Sequence, residues 1–114
     1  QSCGAVGAWG YLADHLDEFV TAAVLISGDG QAAFDQAGCD LGRLAIWGFH
    51  NENDITVPST GTTAPINALL ACDPVPDVQA TIYPDESAHD AWTKTYDTSA
   101  GHDIYAWLLE HTHP

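Results

Sequence analysis

Two polar segments of the chain carry residue types that together can move a proton. The first spans residues 50–58 (HNENDITVP) and contains Asp54, and the second spans residues 87–92 (SAHDAW) and contains His89. A carboxylate beside an imidazole orients the ring and stabilises its charged form, so the imidazole can serve as general base and then as general acid. An acid followed by a histidine in chain order is the second half of a Ser…Asp…His triad. The sequence therefore predicts that Asp54 and His89 act as a pair.

The candidate for the first member of such a triad is Ser2, at the start of the sequence. Ser2-Cys3-Gly4 matches the last three positions of G-x-S-x-G, a sharp turn that exposes a serine oxygen between a strand and a helix. A helix after this turn would direct its positive end at the serine, and the Cys3 N–H would be one oxyanion-hole donor. The S-x-G pattern is common by itself, so its weight comes from the helix pattern that follows.

Each of these residues also has a purely structural interpretation. Asp54 lies in the polar stretch NENDIT, where an aspartate often forms a turn, and His89 can be a surface histidine. Trp92 and Asn51 are candidate substrate contacts, although most aromatic side chains of the chain are expected in the core or along a cleft. The alternatives stay open at the level of the residues alone.

A metal site is the competing chemical interpretation of the same histidines and acids. Imidazole and carboxylate ligands suit zinc, and the possible ligands are His50, Asp54, His89, His102 and Asp103. No two histidines have H-x-H or H-x-x-x-H spacing except His111 and His113, at the end of the sequence. We therefore expect neither a metal ion nor an organic cofactor.

Apolar runs predict the elements that must hold the polar segments. Continuous runs at 19–27, 44–49 and 78–83 predict buried strands, with helices at 4–15, 60–71 and 101–111 and a loop or short helix at 31–43. Strands that alternate with crossovers form a parallel sheet covered by helices, and functional loops then follow the carboxyl ends of the strands. We expect one α/β domain over residues 1–114, a three-layer α/β/α arrangement with about three parallel strands.

The composition excludes several kinds of partner. The 114 residues contain 16 acidic and 2 basic side chains, a formal net charge of −14. This charge repels phosphates and anionic lipids, so we expect no nucleic-acid and no membrane partner, and no run approaches the ~18 apolar residues of a membrane span. An acidic surface without many lysines suits high salt, which indicates a marine or halophilic source. The chain has no methionine, so we expect a processed N-terminus or a piece of a longer protein.

Three cysteines leave two interpretations open. Cys39 precedes a predicted strand and Cys72 ends a predicted helix, so a disulfide between them would tie two neighbouring crossovers and stabilise the domain by about 3–4 kcal/mol. The other interpretation is two unrelated buried thiols. We favour the disulfide, which implies an oxidising, secreted or periplasmic location and leaves Cys3 unpaired.

At these residues the chain resembles the C-terminal half of an α/β-hydrolase, in particular secreted esterases of the polyhydroxybutyrate-depolymerase and feruloyl-esterase type. The stretch SCGAVGAW resembles the segment after the nucleophile turn, FHNENDITVP the pattern H-G-x-x-D-x-x-V-P, AHDAWTKTYD the pattern G-H-D-x-W-x-x-T-Y, and GHDIYAWLLEH the final helix. The resemblance implies Ser2 as nucleophile, Asp54 as triad acid, His89 as base and the Cys3 N–H as oxyanion donor. It also implies hydrolysis of a small, carbohydrate- or polyester-linked ester through an acyl-enzyme.

The chain departs from the family pattern in ways that bear on function. Asn51 and Ala88 stand where the family has glycine, and the first half of such a domain, with the second oxyanion donor, has no counterpart. The run at 19–27 would then be an apolar sheet edge. We expect a complementary N-terminal half or a homo-oligomer to cover it. The first functional hypothesis is a serine esterase, and the alternative is a non-catalytic or degenerate hydrolase fragment that serves as a structural or binding module.

Overall fold

The centre of the fold is a sheet of three parallel strands. The structure, a computed structural model, describes residues 9–13 and 22–112. Its strands are β1 (Ala22–Ile26), β2 (Ala45–Asn51) and β3 (Val78–Tyr83), in the order β1-β2-β3. All three predicted strands are confirmed, β3 with the predicted bounds. β2 extends two residues beyond the predicted end, and positions 19–21 of the first predicted strand lie outside the described residues.

Helices fill the connections between these strands. They are α1 (residues 9–13), α2 (Gln31–Ala37), α3 (Thr60–Leu70), α4 (Trp92–Tyr96) and α5 (Ile104–Thr112), with a 3₁₀ helix at Gly38–Arg43. The predicted helices at 60–71 and 101–111 correspond to α3 and α5, and the predicted short helix at 31–43 corresponds to α2 and the 3₁₀ helix. α4 was not predicted; the Asp90 carboxylate accepts hydrogen bonds from the N–H and the hydroxyl of Thr93 in its first turn.

Two apolar clusters lie on opposite faces of the sheet, because successive strand side chains point to opposite sides. Helices α1, α2 and α3 cover the first face, where the buried side chains include Trp9, Leu12, Leu25, Ala33, Ile46, Ile66, Leu69 and Val78. The segment around α4 and α5 covers the second face, with Ile26, Phe49, Tyr83, Ala91 and Ile104 buried there. The described residues therefore form the predicted three-layer α/β/α arrangement.

Helix α3 packs unusually close to the sheet and to the loop after β1. Pro65 lies inside α3 and lacks the N–H that would bond to the carbonyl of Gly61. The Gly30 N–H donates to that carbonyl instead, at 2.8 Å, so the proline leaves an acceptor that ties the helix to the loop. On the sheet side, a Cβ at Gly48 would lie 2.5 Å from the Thr62 methyl group. The close approach of α3 to β2 thus depends on a glycine in the strand.

We expect Gly48→Ala to destabilise the protein by about 1–3 kcal/mol, because the added methyl group overfills the contact with Thr62. Gly10→Ala is the matched control. Gly10 is helical, and a Cβ there would meet no described atom within 4 Å, so the same substitution should stabilise by about 0.5–1 kcal/mol. Urea unfolding of the two variants and the parent measures both effects. Equal stability of the two variants would contradict the close packing of α3.

The end of α5 is attached to the residue before β3 by a histidine. The His111 Nε2 lies 2.6 Å from an Asp77 carboxylate oxygen, and its Nδ1 lies 2.8 Å from the Trp107 carbonyl oxygen. Both ring nitrogens therefore face acceptors, which favours the doubly protonated ring. The pKa of His111 is therefore raised above its ordinary value of 6.5. The hydrogen bond to the Trp107 carbonyl is the largest cause of this rise, and the contact with Asp77 adds to it.

A raised pKa in the folded state makes this contact pH-dependent. Its contribution is fully present below the ordinary histidine pKa and is lost as the pH rises through the raised value. We expect His111→Gln to be less stable than the parent by up to about 1 kcal/mol in acid, and the two proteins to converge in alkali. Urea unfolding from acid to alkaline pH measures the difference, and Asp77→Asn, which leaves the Trp107 contact intact, should show a smaller loss with the same pH dependence. A difference that does not change with pH would refute the contact.

The predicted disulfide is present. Cys39, in the 3₁₀ helix before β2, bonds to Cys72, in the loop before β3, with the Cα atoms 5.9 Å apart. The bond therefore lies at the amino ends of the strands.

In the described part of the chain β1 pairs with β2 alone. The predicted homo-oligomer or complementary half would cover this edge of the sheet at β1, and it stays a prediction. No helix within residues 9–13 and 22–112 is long and apolar enough to cross a membrane.

Candidate active site

The loops that follow β2 and β3 lie side by side at the carboxyl end of the sheet. The acid loop, residues 52–57, follows β2, and the histidine loop, residues 84–91, follows β3. The Glu52 N–H donates to the Tyr83 carbonyl at 3.0 Å and the Asn53 N–H to the Glu86 carbonyl at 2.8 Å. These bonds continue the pairing of the two strands beyond their ends. The two predicted polar segments are therefore held next to each other.

Asp54 and His89 are in direct contact across these loops. The Asp54 Oδ2 lies 2.5 Å from the His89 Nδ1. The other carboxylate oxygen, Oδ1, accepts the N–H groups of Thr56 at 2.8 Å and Val57 at 3.0 Å. The Asp54 side chain has no exposed surface, whereas that of His89 is 19% exposed. The carboxylate is thus fixed by the backbone of its own loop and has one oxygen free for the imidazole.

The surroundings of Asp54 keep it ionised. Burial raises the pKa of the carboxyl, but the hydrogen bonds from His89 and from the Val57 and Thr56 N–H groups outweigh it, and the pKa lies below the ordinary value of 3.8. An ionised carboxylate can only accept hydrogen bonds, so the proton between the two groups belongs to the His89 Nδ1. In the neutral ring the lone pair is then on Nε2, which is the nitrogen that can act as a base.

His50 holds the acid loop in shape. Its Nε2 lies 2.7 Å from the Val57 carbonyl and 3.4 Å from the Asp54 Oδ2, and its Nδ1 lies 2.9 Å from the Thr62 hydroxyl. The carbonyl requires a proton on Nε2, so in the neutral ring Nδ1 accepts from the threonine hydroxyl. His50 therefore ties the acid loop to the start of α3.

The reactive edge of His89 faces no described polar group. Its Nε2 is buried and has no hydrogen-bond partner among residues 9–13 and 22–112. Buried polar atoms are otherwise almost always paired, so this atom is available to a further group. Trp92, a candidate substrate contact, packs edge-on against the imidazole with the ring centroids 5.3 Å apart. It therefore forms one wall beside the histidine.

The remaining predicted site residues differ in what the structure says of them. Ser2 and Cys3, the predicted nucleophile and oxyanion donor, lie outside the described residues. Asn51 is completely buried, and its amide nitrogen donates to the Ala88 carbonyl at 2.7 Å and the Asp90 carbonyl at 3.3 Å, so here it contacts the histidine loop.

One residue of this region was missed by the sequence analysis. The buried Ser27 donates to the His89 carbonyl at 2.9 Å. It was interpreted as the last residue of a strand, and the only signal in the sequence is its position directly after an apolar run, where functional loops begin.

Asp90 is adjacent to His89 but has a separate task, since its carboxylate bonds to Thr93 in α4. The carboxylate that contacts the imidazole is thus that of Asp54 and not that of Asp90. Within the described residues, no group of three or more His, Cys, Asp or Glu side chains is arranged to hold a metal ion.

The parallel sheet between helical layers, with an acid loop and a histidine loop at its carboxyl end, defines an α/β-hydrolase-type fold. A comparison with solved structures finds a similar fold in a thermostable esterase, with a TM-score of 0.78 and 25% sequence identity. The match covers 96% of this chain but only 29% of the esterase chain. No family model and no curated protein matches this sequence. The chain thus has an esterase-like fold and spans less than a third of that esterase's length.

Proposed function

We propose that the protein is a serine hydrolase that cleaves carboxylic esters. The observation that carries this proposal is the Asp54–His89 pair, in which Nδ1 is bound to an ionised carboxylate and the buried Nε2 has no described partner. This is the protonation pattern that a general base for a serine hydroxyl requires. The esterase-like fold supports the proposal, and Ser2 is the nucleophile that the sequence offers.

The proposed reaction proceeds through an acyl-enzyme. The Ser2 hydroxyl adds to the ester carbonyl while His89 Nε2 takes its proton, and Asp54 stabilises the imidazolium that forms. The Cys3 N–H is the proposed donor to the oxyanion. The imidazolium then gives the proton to the departing alcohol. Water hydrolyses the acyl-enzyme by the same steps, releasing the acid and restoring Ser2.

The substrate and the location are the finer parts of the proposal. We propose a small, carbohydrate- or polyester-linked ester, on the resemblance to depolymerase and feruloyl-esterase sequences. The Cys39–Cys72 disulfide supports a secreted or periplasmic protein, since disulfides persist in oxidising compartments. The net charge of −14 supports function in high salt, where self-repulsion is screened.

A second candidate is a non-catalytic module that retains the hydrolase loops. The observation in its favour is that most of the similar esterase chain, all but 29%, has no counterpart in the match. Such a module would keep the Asp54–His89 contact without a complete oxyanion hole. The loss of one oxyanion donor reduces kcat by about 10²–10³-fold, so an esterase that lacks one donor would still turn over slowly, whereas the module would show no turnover above that of Ser2→Ala.

Turnover of a chromogenic aryl ester in high salt tests the proposal against this alternative. We expect the purified, folded chain to hydrolyse the ester, and we expect Ser2→Ala and His89→Gln not to hydrolyse it above the uncatalysed rate. The two variants should fold like the parent, as judged by circular dichroism. A folded parent whose rate equals that of Ser2→Ala would refute catalysis by this chain alone and favour the module.

A further inference from the structure

The backbone of the histidine loop is held by two buried side chains from the ends of the neighbouring strands. The Ser27 hydroxyl, directly after β1, donates to the His89 carbonyl at 2.9 Å. The Asn51 amide, the last residue of β2, donates to the carbonyls of Ala88 at 2.7 Å and Asp90 at 3.3 Å. Three consecutive carbonyls, centred on His89, are therefore bound by two donors that belong to the sheet.

Both donors are rigidly placed. Ser27 and Asn51 have no solvent exposure, and each is anchored by its backbone: the Ser27 N–H donates to the Phe49 carbonyl at 2.8 Å, and Asn51 is paired with Tyr83 in the sheet. The histidine loop itself has no helix or strand between β3 and α4. At His89 its position is set by these two strand-end donors together with the Ala91 N–H of the loop itself, which donates to the His89 carbonyl at 2.9 Å.

Both donor residues have an energetically unfavourable feature, which indicates that their bonds to the loop matter. Ser27 has a φ of +57°, a left-handed backbone conformation that residues other than glycine rarely adopt. The Asn51 Oδ1 is buried without a hydrogen-bond partner in the described part of the chain. A flipped amide would aim this oxygen at two carbonyl oxygens, so the orientation with nitrogen toward the loop is fixed by chemistry. Ser27 thus has a strained backbone and Asn51 an unpaired oxygen, and each makes a bond to the histidine loop in that arrangement.

We propose that Ser27 and Asn51 are positioning residues that fix the backbone at His89, so that its imidazole meets Asp54 and presents Nε2 to the nucleophile. The catalytic consequence rests on the proposed function, whereas the structural consequence does not. A displacement of about 1 Å in a catalytic group can reduce the rate about 10²-fold. Loss of either donor should therefore weaken the Nδ1 contact and slow reaction at Ser2 by about that factor.

The test uses nuclear magnetic resonance of the imidazole groups in three variants of the whole chain. Asn51→Leu keeps the approximate size and removes the donor, and Ser27→Gly removes the hydroxyl while it tolerates the positive φ. Thr81→Val is the control: it also deletes a hydroxyl that makes one hydrogen bond, to the Trp47 Nε1 at 2.8 Å, but it does not touch the histidine loop. The His89 Nδ1–H signal is assigned by its absence in His89→Gln.

We expect a protected, far-downfield Nδ1–H signal in the parent and in Thr81→Val, and its broadening or loss in Asn51→Leu and Ser27→Gly. If Asn51→Leu does not fold, Ser27→Gly decides alone. Retention of the signal in folded Ser27→Gly, or its absence from the folded parent, would overturn the proposal.

Labelling with a fluorophosphonate separates this proposal from the proposed function. A slowing of about 10²-fold in the two variants and not in Thr81→Val supports both. If the parent is not labelled at all, yet loses the Nδ1–H signal on substitution of Ser27 or Asn51, the proposed function fails and the positioning role stands. Unchanged labelling in both folded variants would overturn the positioning role alone.

Discussion

Asp54→Asn should reduce the rate of covalent labelling by a fluorophosphonate about 10⁴-fold. The amide keeps the size of the carboxylate and can still accept the Thr56 and Val57 N–H groups through its oxygen. Its nitrogen would face the His89 Nδ1 at the position where Oδ2 now lies. The imidazole would then carry its proton on Nε2 and could no longer accept one from the serine.

Asp90→Asn is the matched control for this prediction. Asp90 is the next residue after His89, but its carboxylate bonds to Thr93, so the same change there should cost about 1 kcal/mol of stability at most and leave the labelling rate within a few-fold. Second-order rate constants of the two folded variants at one pH measure the contrast. Similar rates for both variants would contradict the assignment of Asp54 as the partner of the histidine.

Removal of the disulfide should have the largest effect on stability. Cys39 and Cys72 are separated by 33 residues, and the chain-entropy model gives a loss of about 3–4 kcal/mol when a loop of this length is opened. That is a large share of the 5–15 kcal/mol of a typical domain. We expect Cys39→Ser/Cys72→Ser to unfold at a much lower urea concentration than the parent.

Reduction of the parent provides the control, since it opens the same loop without a substitution. Cys3→Ser should lose as much stability on reduction as the parent does, because the bond joins the other two cysteines. The bond lies at the amino ends of β2 and β3, opposite the Asp54–His89 pair, so the double variant should retain the His89 Nδ1–H signal under conditions where it is folded. No change of the parent on reduction would contradict the bond.

The strands were predictable because burial on both faces of a parallel sheet produces continuous apolar runs. β3 lies where the sequence places it. β2 runs two residues further because His50 and Asn51, although polar, are buried and stay paired with Ile82 and Tyr83. Their side chains find partners in Thr62 and in the histidine loop. A pattern of apolar residues cannot reveal burial that polar contacts make possible.

The contact between Asp54 and His89 followed from chain order and sheet topology, since loops after neighbouring parallel strands meet at one edge. The residues that support this contact could not be predicted from the sequence. Ser27 and Asn51 act through bonds to carbonyls of distant residues, and no local pattern records which carbonyl a serine or an asparagine will reach. α4 was missed because it is only five residues long, too short to show a helical repeat.

The measurement that tests the account most directly is the mapping of a fluorophosphonate adduct by peptide mass spectrometry, on the parent, Ser2→Ala and Asp54→Asn in high salt. The account predicts one adduct, on Ser2 in the parent, absent from Ser2→Ala and strongly slowed in Asp54→Asn. An adduct on another residue, or none on a folded parent that shows the His89 Nδ1–H signal, would contradict a triad of Ser2, Asp54 and His89 in this chain.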